Sequence, residues 1–228
     1  MTLPSQQIKC FIIYLPMIER SMLSALRLKS QLENIDIFAE LFEGVYGNEA
    51  EKLMEAEGRT LVGFKEGDPI TKANSPGVKG CFYSHYNLWK KCVELGEPIM
   101  ILEDDVEILR PYIPVKWKDV LVVAVAEQGK KIKDYLKYLL DPSGEPKSIS
   151  FPARSMPGTV GYVIKPKAAK RLVKRYSSTY LPSDNAMHDQ IVDISLHNYM
   201  IGREIPRAGG ELKSSLVRSK IWENFQSK

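Results

Sequence analysis

Pro98-Ile-Met-Ile-Leu-Glu-Asp-Asp-Val106 is the stretch on which the fold of this chain turns. Its apolar run, Ile99 to Leu102, is short and carries β-branched residues, which marks a buried strand. The run passes without a spacer into three consecutive acids, Glu103, Asp104 and Asp105. In open α/β sheets, ligands bind at the carboxyl ends of the strands. Adjacent carboxylates repel one another, so a cation or hydrogen-bond donors must sit among them. On an extended chain Glu103 and Asp105 point to one side. Two hard oxygen ligands so placed suit Mg²⁺ or Mn²⁺ bridging to a substrate phosphate. The plainer alternative is an acidic turn whose carboxylates serve as caps.

Working outward, Cys10-Phe-Ile-Ile-Tyr-Leu15 is a second buried strand, followed by a turn at Pro16. Met22, Ala25, Leu28 and Leu32 recur at spacings of three and four and predict an amphipathic helix. Asp36 to Phe42 alternates apolar and polar residues as a strand does, and Gly44 to Gly80 reads as loop with one short helix. Leu88, Cys92 and Leu95 define a helix that Gly96 terminates. Further strands are predicted over Asp119 to Ala126 and Val160 to Ile164, and a helix over Lys130 to Leu140. A basic helix buries Ala169, Leu172, Val173 and Tyr176, and a final helix is expected from Ser183 to Asn198. Alternating buried strands and helices predict a three-layer α/β fold with a largely parallel sheet. No repeat or linker divides the chain, so residues 1–228 read as one domain.

The 228 residues hold one sizeable core, and 44% hydrophobic with 26% charged residues excludes disorder and fibrous repeats. The longest apolar run, Val120 to Ala126, is far short of the roughly 20 residues of a membrane span. The first residues lack the apolar core of a leader peptide. Cys10, Cys81 and Cys92 are odd in number and without C-x-x-C spacing, so neither a disulfide framework nor a zinc site is indicated. A cytoplasmic protein is the expectation. The net charge of +4 conceals an asymmetry. Residues 1–109 hold 11 Lys+Arg against 17 Asp+Glu, residues 110–175 hold 15 against 5, and the remainder is balanced. A basic block of that size is the footprint of a polyanionic partner, or else a solvated lysine face.

Several templates are absent: no G-x-G-x-x-G follows the first strand, and there is no phosphate-binding P-loop, G-x-S-x-G or H-E-x-x-H. Instead Gly80-Cys81, Ser84-His85, Leu88-Trp89 and Ile101-Leu-Glu-Asp-Asp-Val106, taken together, resemble the core signature of glycosyltransferase family 25. That family includes lipooligosaccharide sugar transferases and collagen galactosyltransferases. Ile12-Ile-Tyr-Leu15 with Glu19-Arg20, Trp117-Lys-Asp119, Gly158-Thr-Val-Gly-Tyr162 and Pro182-Ser-Asp184 resemble further family motifs in collinear order, over roughly residues 10–195. Tyr14 departs from the Asn usual in the first strand. No signal sequence or extra domain like those of the collagen enzymes is read in these residues, so membership of that branch is not the expectation.

The resemblance implies a GT-A-like fold and inverting transfer from a nucleotide sugar, expected to be a UDP-sugar. The donor and metal would occupy about residues 1–109 and the acceptor about residues 110–228. Glu103 and Asp105 would hold Mn²⁺ or Mg²⁺, neutralising the leaving diphosphate, with Asp104 touching the donor ribose or orienting the ligands. Leu15, Arg20, Lys79, Ser84 and His85 would complete the donor side, His85 standing at the start of its helix. The base for the acceptor hydroxyl would be Asp184 or Asp189, each near a helix start whose dipole lowers a carboxylate's pKa. His188 or His197 could complete a metal shell. The basic block favours an anionic acceptor, a lipooligosaccharide core first. The alternatives are hydroxymethylated cytosine in DNA, as for phage enzymes, or a non-enzymatic protein that binds nucleotide sugar or nucleic acid.

Overall fold

A computed structural model describes residues 8–61, 74–126, 144–151, 156 and 158–205. Strand β1 (Lys9–Tyr14) leads into helix α1 (Glu19–Glu33), strand β2 (Ala39–Glu43) and helix α2 (Gly47–Ala56). After β3 (Thr60–Leu61), helix α3 (Pro76–Leu95) leads to β4 (Ile99–Glu103) and β5 (Val106–Ile108). Then come β6 (Val120–Val125), β7 (Ser148–Ser150), β8 (Gly161–Ile164) and helix α4 (Pro166–Arg175). β9 (Thr179–Tyr180), the single turn α5 (Ser183–Ala186), β10 (Ile194–His197) and β11 (Gly202–Glu204) complete the described elements.

The main sheet has the order β2-β1-β4-β8-β6-β10-β7, with β11 beside β6 and β5 beside β11. β2, β1, β4, β6, β10 and β11 run one way, whereas β8, β7 and β5 oppose them. The sheet is therefore mostly parallel, with β8 inserted antiparallel between β4 and β6. β3 and β9 form a separate two-stranded ribbon.

Strand alternation sorts the two cores. Phe11, Ile99, Ile101, Val120, Val122, Tyr162 and Ile164 face α2, α3 and α4. Cys10, Ile12, Met100, Leu102, Leu121, Val123 and Val163 face Ala25, Leu28 and Leu32 of α1. Helices cover both faces, as continuous apolar strands require.

Several expectations are corrected. β2 starts at Ala39 rather than Asp36, because Ile35 and Asp36 complete the turn leaving α1 and Asp36 adopts φ 59°. The stretch read as loop with one short helix does hold that helix, α2, but also β3 and the first turn of α3, which opens on Pro76, a residue suited to the first helical position. Gly96 does end α3, in the left-handed conformation at φ 70°. The helix expected from Ser183 to Asn198 breaks after Ala186. Ile194 to His197 are instead buried on both sides as β10, where strand pairing with Val120–Val122 and Ser148–Ser150 outweighs local helical propensity. The helix expected over Lys130 to Leu140 lies outside the described residues.

Candidate active site

The carboxyl ends of β1 and β4, the start of α1 and one face of α3 enclose a cleft of about 380 Å³. That lies within the range of small-ligand sites. Its lining includes Tyr14, Leu15, Arg20, Ser21, Cys81, Ser84, His85 and the three acids Glu103, Asp104 and Asp105. All three acids expected at the site therefore face one cavity. The backbone differs from the extended chain assumed, since β4 ends at Glu103 and Asp104–Asp105 form the turn into β5.

Each acid is positioned by a different element. The Ser21 hydroxyl accepts the Leu15 amide proton at 2.8 Å and donates to the Asp104 carboxylate, tying the acid turn to the β1–α1 connection. Asp105 is buried, and its carbonyl accepts the Ile205 amide at 2.7 Å. Glu103 Oε1 accepts from Thr159 Oγ1 at 2.9 Å and faces His85 Nε2 at 3.4 Å.

Hydrogen-bond directions around Glu103 follow from the chemistry of the ends. The Trp89 indole can only donate, and it donates to Tyr162 Oη at 2.9 Å. His85 Nδ1 lies 2.9 Å from the same oxygen: a neutral ring accepts the hydroxyl proton there and keeps its own on Nε2 facing Glu103, whereas the imidazolium donates from both nitrogens. Thr159 spends its proton on Glu103, so Ser183 Oγ donates to Thr159 at 3.0 Å, and Cys81 Sγ, 3.1 Å away, donates to Ser183. Two relays, Trp89–Tyr162–His85 and Cys81–Ser183–Thr159, converge on one carboxylate.

Burial opposes charge on His85, while Tyr162, Cys81 and Glu103 favour the imidazolium, and the balance lies well above the ordinary histidine range. Burial likewise pushes the Tyr162 phenol up, against the pull of His85. His85 lies midway along α3, not at its start, because that helix begins nine residues earlier at Pro76.

The two candidate bases part company. Asp184 is half-buried in α5, next to Ser183, and burial aided by the Glu103 charge raises its carboxyl above the usual range. The lowering expected from a helix dipole does not prevail, because α5 is a single turn with few aligned peptides. Asp189 is exposed. Lys79 points to Glu51 at 2.8 Å and is not among the lining residues, whereas exposed Arg20 stands at the cleft mouth. Ser84 lines the cleft but also braces it: its hydroxyl donates to the Gly80 carbonyl at 2.7 Å and accepts the Val45 amide at 2.9 Å. A Cβ on Gly80 would stand 2.5 Å from the Val45 carbonyl oxygen, so the Gly-Cys pair permits α3 to approach the β2–α2 turn.

His197 is held by backbone on both nitrogens, with Nε2 2.7 Å from the Ile113 carbonyl and Nδ1 accepting the Tyr199 amide at 2.9 Å. It is a packing residue, kept neutral by burial. The described members of the basic block do not line the cleft; Lys165 bonds the Trp117 carbonyl at 2.6 Å and Arg171 bonds Asp119.

Sequence reasoning missed Ser21, Thr159, Ser183 and Tyr162. Ser21 carried a signal, since it is the polar member of the stripe continued by Ala25, Leu28 and Leu32. It also missed Arg59, buried behind α3 over the rings of Tyr83 and Tyr86 at 5.3 and 4.6 Å and paired with Glu57 at 2.6 Å.

A mixed α/β sheet with an acid triplet at the carboxyl end of a central strand, opening on a ligand-sized cleft, is consistent with a Rossmann-like fold of the GT-A type. The family model described as glycosyltransferase family 25 (LPS biosynthesis protein) matches residues 9–187, and the chain belongs to that family. A "Glycosyltransferase 25 family member" of Drosophila melanogaster is 32% identical over 161 residues, covering 64% of this chain and 25% of that protein. One from Anopheles gambiae is 27% identical over 201 residues, covering 79% and 32%. "Procollagen galactosyltransferase 1-B" of Xenopus laevis is 36% identical over 85 residues, covering 35% and 13%. The chain thus spans about a third or less of the length of these relatives. Among the described residues no helix is long and apolar enough to cross a membrane.

Proposed function

We propose that this chain is a glycosyltransferase that moves a sugar from a nucleotide-sugar donor, a UDP-sugar, to an acceptor hydroxyl with inversion. The observation that carries the reading is the placement of Glu103, Asp104 and Asp105 together in the cleft at the carboxyl ends of β1 and β4. Family membership supports the reaction class.

Glu103, Asp104 and Asp105 line one cavity, and carboxylates are the hard-oxygen ligands that Mn²⁺ or Mg²⁺ prefers. Glu103 and Asp105 would hold the cation, which supplies positive charge against the leaving diphosphate. The remaining work falls to the chain itself. Ser21 fixes Asp104, and Thr159 with His85 fixes Glu103, so the carboxylates need not reorganise as charge develops. Arg20 at the mouth provides a cation for the donor phosphates. Asp184 takes the proton of the attacking hydroxyl; its raised pKa makes it a stronger base than an ordinary carboxylate. Its electrostatic coupling to Glu103 favours it over exposed Asp189.

The acceptor proposed is an anionic glycan of the lipooligosaccharide type, supported by the excess charge of residues 110–175 and by the family description. The test is release of nucleotide diphosphate from a panel of nucleotide sugars, with and without Mn²⁺, by the wild type and by Glu103→Ala and Asp105→Ala. Full release by either variant would sink the cation-site reading. Lipooligosaccharide core, hydroxymethylcytosine DNA and procollagen are then added in parallel. Stimulation by DNA or procollagen alone would replace the acceptor proposed.

A further inference from the structure

Cys81 and His85 are four residues apart on α3, so they stand one above the other on a single helical face. Glu103 reaches the same point from the end of β4. Cys81 Sγ, a His85 ring nitrogen and a Glu103 carboxylate oxygen all lie within 4.8 Å of one another, and all three residues line the cleft. A thiolate, an imidazole and a carboxylate form a mixed S/N/O set. That chemistry selects Zn²⁺ over Mg²⁺ or Mn²⁺, which prefer oxygen alone.

We propose that Cys81, His85 and Glu103 form a three-ligand zinc site that shares Glu103 with the donor cleft, so that zinc occupancy blocks the use of that carboxylate in transfer. The inference rests on the proposed function for its consequence, but not for its binding chemistry.

The surroundings suit such a site. Tetrahedral zinc with bonds of about 2.0–2.3 Å separates its donors by roughly 3.5 Å, so modest side-chain rotations close the set. All three residues line the cleft, so water from it could supply a fourth ligand. A zinc-bound histidine needs a partner for its other nitrogen. Tyr162 Oη stands 2.9 Å from Nδ1 and can accept from it as it accepts from Trp89.

The protons balance. Binding removes the thiol proton of Cys81 to solvent. On a neutral His85 the Nε2 proton leaves and Nδ1 gains one, which donates to Tyr162; on the imidazolium the Nε2 proton goes to solvent. Ser183, relieved of the S–H donor, can turn its own proton to the thiolate 3.1 Å away. Cys10 and Cys92 are buried elsewhere and cannot join the set.

The probe is Co²⁺, added to the full chain after chelator treatment, because a thiolate–cobalt bond gives a near-ultraviolet charge-transfer band that oxygen ligands do not. The expected result is one equivalent of that band, displaced by Zn²⁺ and lost in Cys81→Ser and in Glu103→Gln as a tetrahedral signal. Zinc affinity, read by competition with a chromophoric chelator, should fall more than about tenfold in Cys81→Ser. Circular dichroism and a Cys10→Ala variant, which should keep the band, guard against misfolding and against the wrong thiol. Absence of the band in the wild type, or its persistence in Cys81→Ser, overturns the zinc site. The two proposals fail separately: a missing band with intact Mn²⁺-supported diphosphate release removes only the zinc site. A zinc-displaceable band without any release removes only the transferase reading.

Discussion

Replacing Tyr162 by Phe deletes one oxygen atom from a fully buried position and disconnects two polar groups at once. Tyr162 has 0% exposure, as do Trp89 and His85, so water cannot stand in for the lost hydroxyl. The Trp89 indole N–H and His85 Nδ1, each now 2.9 Å from the oxygen, would both lose their partner. A buried polar group left without a hydrogen bond costs about 1–3 kcal/mol, so two of them predict a loss of about 2–6 kcal/mol. The ring itself stays, so no cavity larger than one oxygen adds to the sum. With an m-value of about 2–3 kcal/mol per molar urea, the midpoint should fall by about 1–2 M at unchanged slope. Equilibrium unfolding followed by tryptophan fluorescence reads this directly. A double-mutant cycle with Trp89→Phe sharpens the test, since that change removes the stranded indole donor. In the Trp89→Phe background the cost of Tyr162→Phe should shrink by about 1–2 kcal/mol. A midpoint shift under a few tenths molar, or a cost independent of residue 89, would refute the relay as drawn.

The remaining expectations concern the site and its frame. Burial and the Glu103 charge raise the Asp184 carboxyl, so transfer should decline as pH falls through that raised value, and Asp184→Asn should cut kcat about 10²–10⁴-fold while Asp189→Asn changes little. The same shift has a stability sign: between the ordinary and raised pKa the folded chain holds more protons than the unfolded one. Stability therefore falls as pH rises through that window, and Asp184→Asn should flatten the slope in denaturation measured across pH. Gly80→Ala places a methyl 2.5 Å from the Val45 carbonyl oxygen and should cost about 1–3 kcal/mol in chemical denaturation. Arg20→Ala should raise the donor KM by about three- to tenfold, through loss of a charge-assisted contact. Lys79→Ala should leave that KM unaltered, because its ammonium is spent on Glu51 at 2.8 Å.

Much of the frame was legible because periodicity is local. Cys10 to Leu15, Pro98 to Leu102 and Val120 to Ala126 each declared a strand, and the acids at 103–105 marked a strand end that opens on the cleft. The Ala25, Leu28 and Leu32 stripe fixed the buried side of α1 before any partner was known. Illegible were the places where a partner distant in sequence decides. Ile194 to His197 has the composition of either element, and becomes a strand because Val120–Val122 and Ser148–Ser150 lie open on its two sides.

The site divides along the same line. The sequence pointed to the carboxylates through the apolar run that ends in Glu103 to Asp105, and to the helix of Cys81 and His85 only through the resemblance to the family. Only the tertiary structure decided which partners they meet. Thr159 reaches Glu103 across 56 residues, Tyr162 reaches His85 across 77 and Ser183 reaches Cys81 across 102, and no local signal placed antiparallel β8 between β4 and β6. Asp184 rather than Asp189 comes under the Glu103 charge, and Lys79 turns to Glu51 instead of the cleft, for the same reason. Local backbone geometry sets which way a side chain points from its own element, but electrostatics and hydrogen bonding act over a few ångströms of space, and that distance is fixed only when the elements pack.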